Sequence, residues 1–181
     1  MKKRGASENT VTGKLVGGLG NQLFIYSAAR NLAQRTGANL VLDMCQIETG
    51  GSNRGSFLNQ TKLAGEFKVN IRRIPKIGLR IENRIQRELS RNSIIKKPLG
   101  NNYFSPEIGF DDKLFKQKVP VKLNGYFQSW RYGESDIDRI RDEFSLKSTS
   151  TWFQQHEKLI QKEAPIIVHV RRGDYSNLAS S

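Results

Sequence analysis

The chain has 181 residues, room for one domain or for one domain and the opening of a second. Its 36% hydrophobic residues and nine phenylalanines suffice for a core. Its 30 Lys and Arg against 17 acids give a net charge of +13 and imply an anionic partner of nucleotide, nucleic-acid or membrane type. The single cysteine, Cys45, excludes an intrachain disulfide and a Cys-based zinc site. With only His156 and His169 besides, no structural metal is expected.

No apolar run approaches the roughly 20 residues of a membrane span. The basic start Met1-Lys2-Lys3-Arg4 has no apolar run behind it and is not read as a signal peptide, so the expected compartment is the cytoplasm. Residues 1–11 are polar and are expected to fray. Thr12-Gly13-Lys14-Leu15-Val16 reads as a strand that ends in Gly17-Gly18-Leu19-Gly20-Asn21-Gln22. A helix is predicted from about Gln22 to Arg35, with Asn21 as its N-cap and Phe24, Ala28 and Leu32 on one face. Gly37 suits the position after its last turn. Asn39 to Asp43 follows as a second strand. Strand, glycine loop, helix and strand make a βαβ unit, hence a parallel sheet.

The glycine loop is not a P-loop, because no Lys-Ser or Lys-Thr follows, and Leu23 stands where a dinucleotide fingerprint has its third glycine. It either offers backbone N–H groups to an anion at a helix start, or it is a tight turn that lets helix and strand pack. Residues 44–62 read as a surface loop. From Lys62 to Lys97 there are 11 basic residues against Glu66, Glu82 and Glu88. After Pro75, Ile77, Ile81, Ile85 and Leu89 form an apolar stripe, and Arg80, Arg84, Arg87 and Arg91 a basic one. Such a helix packs on a core with solvated arginines, or lies on an anionic membrane or nucleic acid.

Residues 98–120 read as a loop whose aromatics (Tyr103, Phe104, Phe110, Phe115) make satellite contacts. Val121 to Gln128 reads as a strand. Ser135 or Asp136 can cap a helix to Phe144 that buries Ile137 and Ile140, and a further helix runs from Thr151 to Glu163, with His156 on its surface. After Pro165, Ile166 to Val170 reads as a buried strand. It empties into Arg171-Arg172-Gly173-Asp174, at the strand end where open α/β sheets bind ligands. The arginines suit bidentate phosphate recognition, or Arg171 pairs with Asp174. An Arg-Gly-Asp adhesion loop is disfavoured after so buried a run. The fold class is α/β.

Three stretches, Gly17-Gly18-Leu19-Gly20-Asn21-Gln22-Leu23-Phe24, Gly125-Tyr126-Phe127-Gln128-Ser129 with Tyr132, and His169-Val170-Arg171-Arg172-Gly173-Asp174-Tyr175, together resemble the bacterial α-1,2-fucosyltransferases. The resemblance implies a GT-B-like fold with two facing α/β lobes. It implies transfer of fucose from GDP-fucose to the 2-hydroxyl of a galactose, with inversion, without a metal or other cofactor, in surface-polysaccharide synthesis. It implies that Arg172 meets the β-phosphate, with Arg171 beside it or holding the loop. Asp174 orients an arginine or binds the donor, and His169 contacts nucleotide or sugar. Gly173 permits the turn, and the backbone of Gly18, Leu19, Gly20 and Asn21 closes on the diphosphate. Arg172 and Asp174 are the catalytic candidates. Tyr126 and Gln128 either pack or face the acceptor. No general base stands out, and an oxocarbenium-like path needs only a weak one.

Family members continue well beyond Asp174. The expected organisation is a frayed residue 1–11 segment, an N-terminal lobe at 12–164, and at 165–181 the first strand of a mostly missing donor lobe. A chain so cut short is expected to be a poor enzyme alone. The expected partners are GDP-fucose, a galactose-containing glycan and, through Arg80, Arg84, Arg87 and Arg91, an anionic membrane face. The competing function is a non-enzymatic polyanion binder.

Overall fold

The computed structural model describes residues 9–49, 57–68, 101–106, 109–166 and 168. The chain divides into two compact units, residues 1–147 and 148–181. The first unit is an α/β layer on a five-stranded, all-parallel sheet. Its strands are β1 (Thr10–Lys14), β2 (Asn39–Asp43), β3 (Glu66–Lys68), β4 (Asn102–Phe104) and β5 (Val121–Asn124), in the order β3-β2-β1-β5-β4. The expected βαβ unit and parallel sheet are therefore present.

β1 is the centre of the sheet, paired to β2 on one side and β5 on the other. Partners in a parallel ladder share a face, so Val11, Gly13, Leu40, Leu42, Val121 and Leu123 line one side. Helix α1 (Leu19–Thr36) lies there. A Cβ on Gly13 would stand 3.1 Å from the Ala29 Cβ and 3.5 Å from Ile25, so glycine here lets α1 settle on β1. Ile25, Tyr26, Ala28, Ala29 and Leu32 are wholly buried. Each large aliphatic side chain so buried contributes about 1.5–3 kcal/mol. α1 ends as its sequence requires. Gly37 adopts φ 64°, and the Ala38 N–H reaches the Ala33 carbonyl at 2.9 Å.

Several boundaries differ from the sequence reading. β1 begins at Thr10 rather than Thr12, because Thr10 and Val11 pair with Asn39 and Leu40 and are buried. α1 begins at Leu19, not Gln22. The Gln22 N–H already bonds the Gly18 carbonyl at 3.1 Å, which makes Gly18 the N-cap and puts Asn21 inside the first turn. Phe24 is 37% exposed and does not join the core, since the helix is rotated to bury Ile25 and Ala29 against Gly13. The loop expected at 44–62 contains a short helix α2 (Cys45–Thr49) and a 3-10 turn at Phe57–Gln60. β3 and β4 are too short to have a readable alternation. Tyr103, expected at the margin, is a core residue of β4. β5 stops at Asn124 instead of Gln128, because Gly125 and Phe127 both adopt positive φ.

Helix α3 (Ile137–Phe144) follows two 3-10 turns at Trp130–Tyr132 and Glu134–Asp136. Asp136 is its N-cap residue by position, without a side-chain capping bond. Of its expected apolar face, Ile140 is buried, Phe144 packs against the core and Ile137 is 38% exposed. α3 is tied to α1 through Glu143. The Tyr26 hydroxyl donates to Glu143 Oε2 at 2.6 Å, Arg30 Nε donates to Oε1 at 3.0 Å, and the Ala64 N–H donates to the Tyr26 oxygen at 2.9 Å.

In the second unit the described element is α4 (Thr151–Glu163), where the sequence placed it. The Ser150 Oγ accepts the Phe153 N–H at 3.1 Å, and Ala164 closes it at φ 42°. His156 stacks on Trp152 with ring centroids 4.5 Å apart. Of the buried strand expected from Ile166 to Val170, the residues Ile167, His169 and Val170 lie outside the described ones. Ile166 and Val168 lie outside any strand and are 94% and 78% exposed. A run apolar on both faces becomes a strand only where a sheet edge and covering layers receive it.

Candidate functional site

Two of the three motif stretches meet at the carboxyl ends of β1 and β5. These strands are adjacent in the sheet and more than 100 residues apart in the chain. Open α/β sheets bind ligands at this edge. From β1 the chain passes through Leu15 and Val16 into Gly17, at φ 75°, and then Gly18 opens α1. The Gln22 side chain is buried and donates to the Gly17 carbonyl at 2.9 Å, which fixes the loop from beneath.

The N–H groups of Leu19, Gly20 and Asn21 belong to the first turn of an 18-residue helix and have no acceptor among the described residues. Helix starts of this kind favour negative charge. Leu19 is 42% exposed and Gly20 is exposed. Gly20 is unusual. A Cβ placed on it would meet nothing within 4 Å, so packing gives no reason for a glycine inside the first turn. Glycine there costs about 0.5–1 kcal/mol relative to alanine. The open position leaves the backbone there accessible to close approach by a ligand.

The second loop is held in an unusual shape. Gly125 has φ 113°, and a Cβ on it would lie 2.1 Å from the Ser105 Oγ, so no side chain fits. The same Ser105 Oγ accepts the Tyr126 N–H at 3.2 Å, and the Ser105 N–H donates to the Asn124 carbonyl at 2.9 Å. Phe127 has φ 52°, left-handed backbone for a bulky residue, at a cost of about 1–3 kcal/mol. Its ring is held by an edge contact to Tyr132 at 5.4 Å and a stack on Tyr103 at 6.1 Å. Tyr132 is wholly buried, and its hydroxyl oxygen accepts the Asp111 N–H at 2.9 Å. The Tyr103 hydroxyl donates to Asp111 Oδ2 at 2.9 Å. Burial first, then the hydrogen bond and charge of Asp111, push the Tyr103 hydroxyl above the ordinary tyrosine range.

With Phe127 turned inward, Tyr126 and Gln128 lie outward over the glycine loop. Tyr126 is 44% exposed, and its Cε1 stands 3.3 Å from where a Gly17 Cβ would be. Gln128 Nε2 donates to Asn21 Oδ1 at 2.8 Å. The structure thus brings Gly18, Leu19, Gly20 and Asn21 together with Tyr126 and Gln128. His169, Arg171, Arg172, Gly173 and Asp174 lie outside the described residues, as do Arg80, Arg84, Arg87 and Arg91. Among the described residues no group of His, Cys, Asp and Glu is placed to hold a metal ion, and no helix is long and apolar enough to cross a membrane.

Sequence reasoning passed over Gln22, Ser105 and the inward turn of Phe127. Gln22 was legible as a polar residue on a helix face otherwise destined for the core. Ser105 carries no local signal, because its role comes from a contact 20 residues along the chain.

An α/β lobe with a glycine loop and a second motif loop meeting at its carboxyl edge is the class of structure defined here. Its distant homologues are glycosyltransferases. The chain is 32% identical over 179 residues to the O-antigen biosynthesis glycosyltransferase WbnK of Escherichia coli, across 89% of this chain and 58% of that protein. It is 23% identical over 168 residues to the alpha-1,2-colitosyltransferase of Escherichia coli, across 91% of this chain and 55% of that protein. The chain spans a little over half the length of these curated relatives. No family model and no solved structure matches it.

Proposed function

We propose that this chain carries the first lobe and the opening donor motif of an inverting glycosyltransferase of surface-polysaccharide synthesis. The proposed reaction moves L-fucose from GDP-fucose to the 2-hydroxyl of a galactoside. The observation that carries the reading is the Gln128–Asn21 hydrogen bond, which joins two stretches of the fucosyltransferase-like pattern at the ligand-binding edge of the sheet. The similarity to an O-antigen biosynthesis glycosyltransferase and to a colitosyltransferase supports the reaction class.

In this reading the acceptor oxygen attacks the anomeric carbon as the bond from that carbon to the β-phosphate oxygen breaks. GDP leaves with the bonding electrons, and the hydroxyl proton passes to a weak base or to water. Charge grows on the β-phosphate, and fixed donors aimed at it lower the barrier. Arg172 is assigned to that phosphate, Arg171 to its support, His169 and Gly173 to donor contacts, and Asp174 to orienting an arginine or the donor. The amides of Leu19, Gly20 and Asn21 offer a second set of donors, and Gly20 leaves room for a phosphate to approach them.

A colitosyl donor is the second reading, favoured by the name of the 23%-identical relative, which carries the same α-1,2 linkage.

The test is release of GDP from GDP-fucose, with and without a galactoside, by this chain joined to the remaining part of its O-antigen glycosyltransferase relative. Acceptor-dependent release is expected, and Arg172→Ala should lower it by about 10²–10³. No release, together with salt-sensitive binding of any polyanion that GDP-fucose does not compete, overturns the reading in favour of a polyanion binder.

A further inference from the structure

The loop Tyr126–Ser129 has a job that the donor does not explain. It contains no cation, and it presents an exposed phenol ring and a neutral carboxamide. After Gln128 Nε2 has bonded Asn21 Oδ1, Gln128 Oε1 remains as an acceptor and Asn21 Nδ2 as a donor, with no partner among the described residues. A neutral donor and acceptor pair beside a flat apolar ring matches a sugar. One face of a pyranose is C–H-rich and its rim is a row of hydroxyls. Tyrosine gives such a ring a large, rigid, amphipathic surface at small entropic cost.

The backbone geometry has the same sense. Phe127 is wholly inside an aromatic cluster, yet it sits in left-handed backbone, which burial of a phenylalanine does not require. That conformation, together with Gly125, takes the loop off the sheet and across the end of β1. Tyr126 thereby lies beside Gly17, and Gln128 reaches Asn21. Strained backbone held by surrounding contacts is of the kind that clusters at ligand-binding and active sites.

We infer that Tyr126, Gln128 and Asn21 form the acceptor-sugar subsite, with the pyranose ring stacked on Tyr126 and its hydroxyls bonded to the two carboxamides. The inference rests on the glycosyltransferase reading for its ligand class. Tyr126 and Gln128 are contact residues of this subsite. Ser105, Gly125 and Phe127 are positioning residues.

The experiment is saturation-transfer NMR of methyl β-D-galactopyranoside on the 181-residue chain, followed by titration. Tyr126→Ala, Tyr126→Phe and Gln128→Ala are compared, and circular dichroism checks each fold. Saturation is expected on the C–H face of the sugar. Affinity should fall about tenfold in Tyr126→Ala, equivalent to ~1.4 kcal/mol. Tyr126→Phe should bind like the parent, because the ring and not the hydroxyl makes the contact. Binding unchanged in Tyr126→Ala, or no saturation up to the solubility of the sugar, overturns the inference. GDP-fucose titrated into the same proteins separates the two readings. Donor affinity should not change in Tyr126→Ala, and a loss confined to the donor places the tyrosine in the wrong subsite and also overturns the inference. Galactoside binding at Tyr126, with no donor binding even when the chain is joined to the remaining part of its O-antigen glycosyltransferase relative, leaves the subsite standing and removes the transferase.

Discussion

Three glycines near the site behave differently under one test, the space a Cβ would need. Gly17 would press on Asn21 Nδ2 at 2.7 Å, Gly125 on Ser105 Oγ at 2.1 Å, and Gly20 on nothing. Gly125→Ala therefore meets both a positive φ and a hard contact, and should cost about 2–4 kcal/mol by urea denaturation. Gly20→Ala should do the reverse and stabilise the fold by about 0.5–1 kcal/mol, because alanine is the better helix residue. The same Gly20→Ala variant should bind GDP-fucose more weakly if a phosphate approaches that backbone. A variant that gains stability while losing ligand separates binding from folding. Equal donor affinity in both proteins would remove Gly20 from the site.

At the scale of elements, the join between α1 and α3 is polar. Glu143 takes the Tyr26 hydroxyl and Arg30 together, with Tyr26 in turn bonded by the Ala64 N–H. The Arg30 and Glu143 side chains are 19% and 10% exposed, so removing one partner leaves the others inside without compensation. Glu143→Ala should cost about 3–5 kcal/mol. Tyr26→Phe, which loses hydrogen bonds but keeps the ring against Phe144 at 5.9 Å, should cost about 1–2 kcal/mol. Both are read as shifts in urea midpoint.

Burial, and then the hydrogen bond to Glu143, push the Tyr26 hydroxyl above the ordinary tyrosine range, in the same direction as Tyr103. The unfolded chain, with tyrosines near about 10, gives up these protons first as pH rises. The stability they contribute is therefore whole below about pH 10 and is lost above it, on the way to the folded-state values. The urea midpoint should fall above that pH, and less steeply in Tyr103→Phe. This join was only partly legible in the sequence. Ile140 and Phe144 gave α3 its face, but Glu143 reads as one more surface acid until α1 is beside it. α1 itself was legible because a glycine loop, a run of small apolar residues and Gly37 agree at one place. Its rotation was not, because that depends on Gly13 in β1 admitting Ala29.

At the scale of the molecule, the sequence pattern located the α/β lobe because βαβ order constrains topology, while β3 and β4, three residues each, are strands only through their neighbours. The meeting of Gly18–Asn21 with Tyr126–Gln128 was legible only as two motifs of one resemblance. Their contact follows from β5 entering the sheet beside β1 after the chain has passed β2, β3 and β4. That contact is the centre of the functional reading, and amide chemical-shift mapping tests it. GDP-fucose is titrated first, then methyl β-D-galactopyranoside, into the labelled chain. Saturable shifts should appear at Leu19, Gly20 and Asn21 with the donor, and at Tyr126 and Gln128 with the galactoside. Gly37 and Asn101, beside the amino-terminal ends of the strands, should stay still. Shifts confined to those opposite ends, or none at the carboxyl edge with either ligand, would contradict a sugar-transfer site at β1 and β5.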